Sequence, residues 1–258
     1  MGGTPGSKIT IFDMGELVAV GKFDNSGHWQ VALSWHEAKR GVQMLSVPLR
    51  PGRERWTWRR ISDASQDEQL SVADIDRDGR LDLLLGTQWL RNEWPAWALR
   101  PLTARRGNPD RNRLADINGD GRLDAVVGFE AISRPGDVLW YEQGATAAAP
   151  WTEHRIATVI GPMSLDVADM DGDGDLDAIV GEHNLKDPAS ARLLVFENVD
   201  GRGTRWKEHL VWRGDEHHDG AHVADMDGDG DLDIVSIGWG HHTVLFYENR
   251  TGRCPAKH

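Results

Sequence analysis

The sequence has one cysteine, few phenylalanines and tyrosines, and no long hydrophobic run. The single cysteine, Cys254, excludes an intrachain disulfide and leaves the redox compartment open. No segment approaches the roughly 18 consecutive apolar residues of a membrane-spanning helix. The first residues, MGGTPGSK, lack the apolar core of a signal peptide. We therefore expect no membrane span, and an export signal, if one exists, is not part of this sequence.

Positive charge is also scarce. Lys and Arg number 29 against 41 Asp and Glu, which gives a formal net charge of −12. This balance argues against a nucleic-acid backbone as a partner. The chain is rich instead in tryptophan, with 12 residues, and in clustered aspartates. Its 258 residues are enough to bury a substantial core.

Four segments match the pattern D-x-[DN]-x-D-G-x-L-D. They begin at Asp74, Asp116, Asp169 and Asp225, at spacings of 42, 53 and 56 residues. A degenerate fifth copy lies upstream, with Lys22 in place of the first aspartate. Two aromatic series keep the same phase: WTWRRI, WALRPL, WTEHRI and WKEHLV form one, and VLWYEQ, LLVFEN and VLFYEN form the other. Three series in phase indicate a repeated structural unit.

Each unit is typical of four short β-strands. Strand a leads into the acidic loop, strand b follows it, strand c is the VLWYEQ-type segment, and strand d is the segment that opens with tryptophan. The strands are rich in β-branched and aromatic residues, and Gly, Asp and Asn separate them. Four-stranded units repeated at such intervals describe the blades of a β-propeller. We therefore expect an all-β fold, a five-bladed β-propeller of four-stranded antiparallel blades.

The predicted propeller is a single domain over residues 1–258. Its blades cover approximately 17–61, 70–102, 111–157, 164–211 and 220–249. The last blade ends after strand c, so we expect residues 7–12 (SKITIF) to pair as its missing strand d and close the ring. Residues 250–258 form a tail.

The acidic loops have the ligand spacing of a calcium site. They resemble an EF-hand loop, with oxygens at positions 1, 3 and 5, a glycine at 6 and a main-chain carbonyl at 7. The closing carboxylate comes at position 9 and leads into a strand. We expect about four structural Ca²⁺ ions, and none in the degenerate copy, where Lys22 would place an ammonium at the metal. The predicted ligands, with the position-7 residues acting through their carbonyls, are Asp74, Asp76, Asp78, Arg80, Asp82, Asp116, Asn118, Asp120, Arg122, Asp124, Asp169, Asp171, Asp173, Asp175, Asp177, Asp225, Asp227, Asp229, Asp231 and Asp233.

These loops carry a family resemblance. The sequence resembles the FG-GAP/VCBS repeats, calcium-loop blades also found in integrin α-subunit heads. The resemblance covers residues 17–249, although the literal Phe-Gly and Gly-Ala-Pro signatures are absent. It implies a propeller, bound calcium and an extracellular or periplasmic location. It implies no particular activity, because the fold hosts many.

Candidate functional residues follow from the strand order. In an up-and-down blade the acidic a–b loops lie on one rim, and the b–c and d–a loops lie on the other. The candidate ligand-binding residues on that second rim are Trp239, His241, His36, Glu182, Asn184, Lys186 and His217. A further series lies on strand a, three residues before each first aspartate, and comprises Ala19, Ser71, Arg113, Asp166 and His222. The candidate catalytic residues are His222, His183, His218, His242, Asp166 and Arg113.

Three functions remain open from the sequence. The first is a binding module for a carbohydrate or another polar small molecule. The second is a metal-assisted sugar lyase or dehydratase that works by β-elimination, as in sugar-acting enzymes built on related propellers. In it, one histidine would act as the general base, and histidines would also bind a transition metal such as Zn²⁺. The third is a protein-interaction module. The oligomeric state stays open, and the sequence contains no G-x-S-x-G, no H-E-x-x-H and no phosphate loop.

Overall fold

The computed structural model describes residues 18–35, 40–66, 69–105 and 107–250. In these ranges the regular secondary structure consists of β-strands, apart from one 3-10 turn at Pro188–Ser190. The strands are β1 (Val18–Gly21), β2 (Gln30–Leu33), β3 (Val42–Ser46), β4 (Thr57–Ser62), β5 (Ser71–Ala73), β6 (Asp82–Leu84), β7 (Gln88–Glu93), β8 (Ala96–Pro101), β9 (Pro109–Ala115), β10 (Asp124–Phe129), β11 (Pro135–Glu142), β12 (Thr152–Ile160), β13 (Pro162–Ala168), β14 (Asp177–Glu182), β15 (Arg192–Asn198), β16 (Trp206–Arg213), β17 (His222–Ala224), β18 (Asp233–Ile237) and β19 (Val244–Tyr247).

The strands form five antiparallel sheets in which chain neighbours pair. Four sheets have the orders β1-β2-β3-β4, β5-β6-β7-β8, β12-β11-β10-β9 and β13-β14-β15-β16, and the last is β17-β18-β19. The predicted all-β fold of repeated meander sheets is therefore confirmed, and among the described residues the last sheet has three strands. The segment expected to complete it, residues 7–12, lies outside the described residues. Closure of the ring therefore stays a prediction.

The chain divides into two compact units, Met1–Ala104 and Arg105–His258. The first unit holds the sheets β1–β4 and β5–β8. Its core includes Phe23, Met44 and Leu83, all nearly inaccessible to solvent. The assignment of one domain to the whole chain stays a prediction.

The second unit holds the other three sheets. Its core is built by side chains such as Val126, Trp140 and Leu165, and the middle strands β10 and β14 are buried along their full lengths. Such strands are covered on both faces, so their interiors (AVVGF and AIVG) are continuous apolar runs without polar alternation. The edge strands β9, β13 and β17 lie beside one another. Side chains from three different sheets therefore meet at this edge.

A buried aspartate ties each acidic loop to its own sheet. In the third loop, Asp177 Oδ2 accepts the Met170 N–H at 3.0 Å, and Oδ1 accepts the Asn198 N–H at 2.9 Å. The position-9 aspartates of the other loops accept the same pair of backbone N–H groups; they are Asp82, Asp124 and Asp233. These aspartates are at most 2% exposed. The last letter of the repeat is therefore a fixed part of the turn.

The asparagine of strand c connects consecutive sheets. Asn198 Nδ2 donates to the carbonyl of Ile117, at position 2 of the preceding loop, at 2.9 Å. Its Oδ1 accepts the Gly203 N–H at 2.8 Å. The equivalent Asn92 and Asn249 donate to Phe23 and Met170 in the same way. The repeated FEN and YEN segments thus hold one blade against the loop of the blade before it.

Candidate functional site

In the second unit, the acidic loops and the loops that carry most of the candidate histidines lie at opposite ends of the strands. Arg113, Asp166 and His222 lie within strands, each two residues before the end that leads into an acidic loop. Asp177, the last loop aspartate, pairs with Ala168 at the end of β13, and Glu182 pairs with Pro162 at its start. His183 follows Glu182 directly. The strand length therefore separates the loop end from the end that carries most of the histidines.

Loop carboxylates converge as a hard cation requires. Ligand atoms lie within 4.8 Å of one another in three groups: Asp74, Asp76, Asp78; Asp169, Asp171, Asp177; and Asp225, Asp227, Asp229. The position-6 glycines adopt φ of +83° to +96°, which lets their N–H groups reach the first aspartate. Burial raises the pKa of Asp82 and Asp177 to about 6 and that of Asp124 to about 7. The oxygen-only donor set of the 169–177 loop fits Ca²⁺.

The 74–82 loop contains a cation that the sequence reasoning missed. Arg91, on β7, contacts Asp76 through Nε and Asp78 through Nη2, the latter at 3.1 Å. Arg80, predicted as a carbonyl ligand, also brings its guanidinium to Asp78. The signal was present in the sequence, because Arg91 precedes Asn92 where glutamate precedes Gln143, Asn198 and Asn249 in the other units.

The structure brings together three of the predicted catalytic residues. Arg113 Nε donates to Asp166 Oδ1 at 2.8 Å, and its Nη2 lies 3.5 Å from His222 Nδ1. Asp166 Oδ2 also accepts the Val223 N–H at 3.0 Å. Burial by itself would raise the pKa of Asp166, but His222 and the Arg113 guanidinium outweigh it and hold the pKa below its ordinary value. His222, whose side chain is 62% exposed, is the accessible member of this group.

A second group surrounds Glu216, which the sequence analysis did not select. His183 Nδ1 contacts Glu216 Oε1, and the same carboxylate accepts the His218 N–H at 2.9 Å and the Gly240 N–H at 2.9 Å. The His183 and His218 rings lie 4.3 Å apart. Burial favours a raised pKa for Glu216, but the His183 contact, the Gly240 N–H and the electrostatic influence of His183 and His218 hold that pKa below its ordinary value. A buried, ionised carboxylate therefore holds the side chain of His183 and the backbone of His218, whose Nδ1 lies 2.7 Å from Asp219 Oδ1.

The loop that carries this carboxylate has an unusual backbone. Asp215 and Ala221 adopt φ of +60° and +62°, although neither is glycine. Between them, Glu216, His217 and His218 are at most 6% exposed. Positive φ in a non-glycine residue costs free energy and clusters at functional sites. The repeat places Glu216 in a d–a loop of the second rim, but nothing in the sequence distinguishes it there from the neighbouring acidic residues Asp215 and Asp219.

The Glu216 group opens onto the surface. Trp239 is 58% exposed, and its ring meets that of His218 edge-on at 5.6 Å. His241 Nε2 lies 2.9 Å from the Glu216 carbonyl oxygen. A cleft of about 380 Å³ is lined by Asp215, Glu216 and His241, together with Pro188, Ala189, Gly214 and Gly240. Trp239, His218, His183 and His241 are thus brought to one place.

Other predicted residues lie elsewhere or have structural partners. Glu182 is buried, and its oxygens accept the Ile160 N–H and the guanidinium of Arg192. His217 is fully buried, with Nδ1 2.8 Å from Ser236 Oγ, and burial lowers its pKa to about 4. Asn184 bonds within its own loop, Lys186 and His242 are exposed, and His36 lies outside the described residues. Among the residues that the structure covers, the converging ligand groups contain no histidine.

Comparisons with known proteins support the repeat assignment. Residues 102–180 match the family model of the FG-GAP-like repeat, which confirms the resemblance over that stretch. No curated protein matches the chain. A crystal structure of BBS1N in complex with ARL6DN, soaked with lead, is similar at a TM-score of 0.54 and 12% identity, over 92% of this chain and 69% of that one. The V. cholerae biofilm matrix protein Bap1 matches at a TM-score of 0.43 and 15% identity, over 82% of this chain and 41% of that one.

The first of these similarities concerns the fold alone, which is β-propeller-like. Within the described ranges, the protein has no helix with the length and apolar character needed to cross a membrane.

Proposed function

We propose that this chain is a calcium-stabilised β-propeller module that binds a carbohydrate at the end opposite its calcium loops. The observation that carries the proposal is the exposed ring of Trp239 beside the buried, hydrogen-bonded group of Glu216, His183 and His218. A flat apolar face next to a few fixed polar groups suits a sugar ring, which has apolar faces and a polar edge. The accessible His222, beside Asp166 and Arg113, adds hydrogen-bonding capacity on the neighbouring edge strands β9, β13 and β17.

The calcium part of the proposal depends on the loop chemistry. In the 169–177 loop, five aspartates lie within nine residues, and such a density of like charge is unfavourable without a cation. Bound calcium would stabilise the fold by about 2.7 kcal/mol per site at a free concentration one hundred times Kd. We expect thermal stability to fall in EGTA and to return when CaCl₂ is restored. An unchanged melting curve would contradict calcium stabilisation.

Ring closure by residues 7–12 is supported by the last sheet. On β19, Val244 and Phe246 are 69% and 50% exposed, which is unusual for large apolar side chains on a strand. A cavity of about 250 Å³ lies beside it, lined in part by Val211, Ile234 and Tyr247. An added strand at this edge would cover these residues. We expect deletion of residues 1–12 to lower the melting temperature, and an unchanged value would contradict closure.

The carbohydrate proposal is tested by binding measurements on a panel of neutral and uronate-containing glycans. We expect Trp239→Ala to abolish binding of any glycan that the wild type retains. Trp58→Ala is the matched control, because Trp58 is also 58% exposed but lies on β4 of the first unit. Equal binding by the two variants would contradict a site at Trp239, and capture of a protein ligand alone would favour the interaction module.

A second candidate function, a sugar lyase or dehydratase, is favoured by the contact between His183 and Glu216. A carboxylate that accepts a hydrogen bond from Nδ1 holds the imidazole with Nε2 as the basic atom, the arrangement of a general base. Arg113 would neutralise a substrate carboxylate. The test is absorbance of an unsaturated product from uronate polysaccharides or keto-sugars, and no product over that panel would contradict the activity.

A calcium-dependent fold suits an extracellular or periplasmic location, where weak calcium sites of this class are common. We propose that location for this module. Fractionation of the native organism would test it.

A further inference from the structure

The 74–82 and 169–177 loops share their aspartates at positions 1, 3, 5 and 9 but differ in what lies among them. In the 74–82 loop, Arg91 reaches both Asp76 and Asp78, and its Nη1 lies 3.2 Å from Glu93 Oε1. Arg80 contacts Asp78 from within the loop. Asp169, Asp171 and Asp173 accept backbone N–H groups of their own loop, and among the described residues none of the three forms an ion pair.

The difference between the two loops arises from different residues at one equivalent position of the repeat. The Asn92 N–H donates to Asp82 as the Asn198 N–H donates to Asp177. Arg91 and Glu197, which precede these asparagines, are therefore equivalent residues. Glutamate also stands at this position in the other two units, as Glu142 and Glu248. One unit alone places a cation where the others have a carboxylate.

The local charge follows the same division. The nine residues of the 74–82 loop contain four aspartates and two arginines, and Arg91 brings the balance to −1. The nine residues of the 169–177 loop contain five aspartates and no lysine or arginine, a balance of −5, and the equivalent residue Glu197 adds no cation. An added cation is therefore needed in the second loop far more than in the first. A guanidinium suits this role, because its planar fork can bind two carboxylates at once.

We propose that Arg91 takes the place of the metal ion in the 74–82 loop, so that this loop folds without calcium whereas the 169–177 loop requires it. The proposal rests on the calcium-binding function proposed above. According to the proposal, the residue at the position of Arg91 determines whether a loop binds metal, and the repeated aspartates alone do not. The number of calcium ions bound is then lower than the number of intact repeats.

Matched position-3 substitutions test the proposal. Asp76→Asn and Asp171→Asn each remove one charge without changing side-chain size. After equilibration with CaCl₂, bound metal is measured by atomic emission and affinity by calcium titration. We expect Asp171→Asn to remove or weaken one site and Asp76→Asn to leave the titration unchanged. Loss of one site in Asp76→Asn would overturn the proposal, and so would an unchanged titration in Asp171→Asn.

A gain-of-site variant gives an independent measurement. Arg91→Glu copies the residue found at Glu142, Glu197 and Glu248, and we expect it to bind one calcium ion more than the wild type. An unchanged count in a folded Arg91→Glu protein would overturn the proposal. If this variant does not fold, the asparagine pair still decides the question.

Hydrogen exchange separates this proposal from the calcium proposal. In EGTA, the amides of Asp78 and Gly79, which donate to Asp74, should keep their protection. Those of Gly172 and Gly174, which donate to Asp169, should lose it. Equal loss of protection in both loops would overturn the Arg91 proposal alone. A wild type that retains no calcium at all would overturn both.

Discussion

The buried side chain of Asn198 offers a sharp test of how consecutive sheets are held together in the second unit. Asn198 is fully buried, donates to the Ile117 carbonyl at 2.9 Å and accepts from the Gly203 N–H at 2.8 Å. Asn198→Ala removes both hydrogen bonds and leaves these two backbone groups without that partner. The backbone bond from Asn198 to Asp177 remains, so the change removes the bond to Ile117 of the preceding sheet and the local bond to Gly203 in the β15–β16 loop.

The magnitude follows from these two bonds. A buried backbone group that loses its partner costs about 1–3 kcal/mol. Partial relaxation reduces the total for two groups, and we expect a loss of about 2–4 kcal/mol in the free energy of unfolding. For a unit of this size, that corresponds to a fall of roughly 5–15 °C in melting temperature. Asn198→Asp should cost more, because it places a carboxylate oxygen against the Ile117 carbonyl.

Tryptophan fluorescence during urea unfolding measures this loss, at fixed calcium concentration. Trp140 and Trp206 both donate to the Gly203 carbonyl, so they report on the same contact. Asn184→Ala is the control, since Asn184 bonds to Ser190 in a surface loop, and we expect it to cost less than about 0.5 kcal/mol. A loss below about 1 kcal/mol in Asn198→Ala would refute the role assigned to the repeated asparagine.

Two further predictions concern the same unit. Gly203→Ala should lower the free energy of unfolding by about 2–4 kcal/mol, because φ is +66° and a Cβ would lie 2.6 Å from Trp140. The control Gly27→Ala, at φ +75° with no neighbour within 4 Å, should lower it by about 1 kcal/mol. Equal losses in urea unfolding would contradict the packing argument. Burial lowers the pKa of His217 to about 4, against the opposing influence of Asp215 and Glu216. Because the unfolded chain takes up this proton at a higher pH than the folded chain, the free energy of unfolding falls as pH drops from about 6.5 to about 4. In His217→Asn this loss should shrink by up to about 3 kcal/mol, measured by urea unfolding across that range; parallel pH profiles for the two proteins would contradict it.

Much of the fold could be predicted because short-range sequence patterns define each repeat. Aspartate and glycine spacing marks each turn between strands a and b, and β-branched and aromatic residues mark the strands on either side. These signals predicted the five sheets, their antiparallel order and the three strands, a to c, that residues 220–249 contribute to the last sheet. The strand-a offset also led to Arg113, Asp166 and His222, since equivalent positions on neighbouring edge strands face one another.

The rest of the candidate site could not be predicted, because it depends on contacts between segments that have no fixed offset. Glu182 and His217 were selected for their loop position and residue type. In the structure, however, Glu182 accepts a hydrogen bond from Arg192, and His217 is buried with Nδ1 against Ser236 Oγ. Glu216 was not selected, and only the strained turn of its loop brings it to His183, 33 residues away in sequence.

The acidic loops illustrate both sides of this division. The sequence by itself determined where the loops are, how they turn and which oxygens they offer, because each of these properties is settled within nine consecutive residues. Only the tertiary structure decided which charges share a loop with those oxygens. Arg91 meets Asp76 and Asp78 because strand pairing sets β7 beside that loop, and electrostatic balance depends on distances in space.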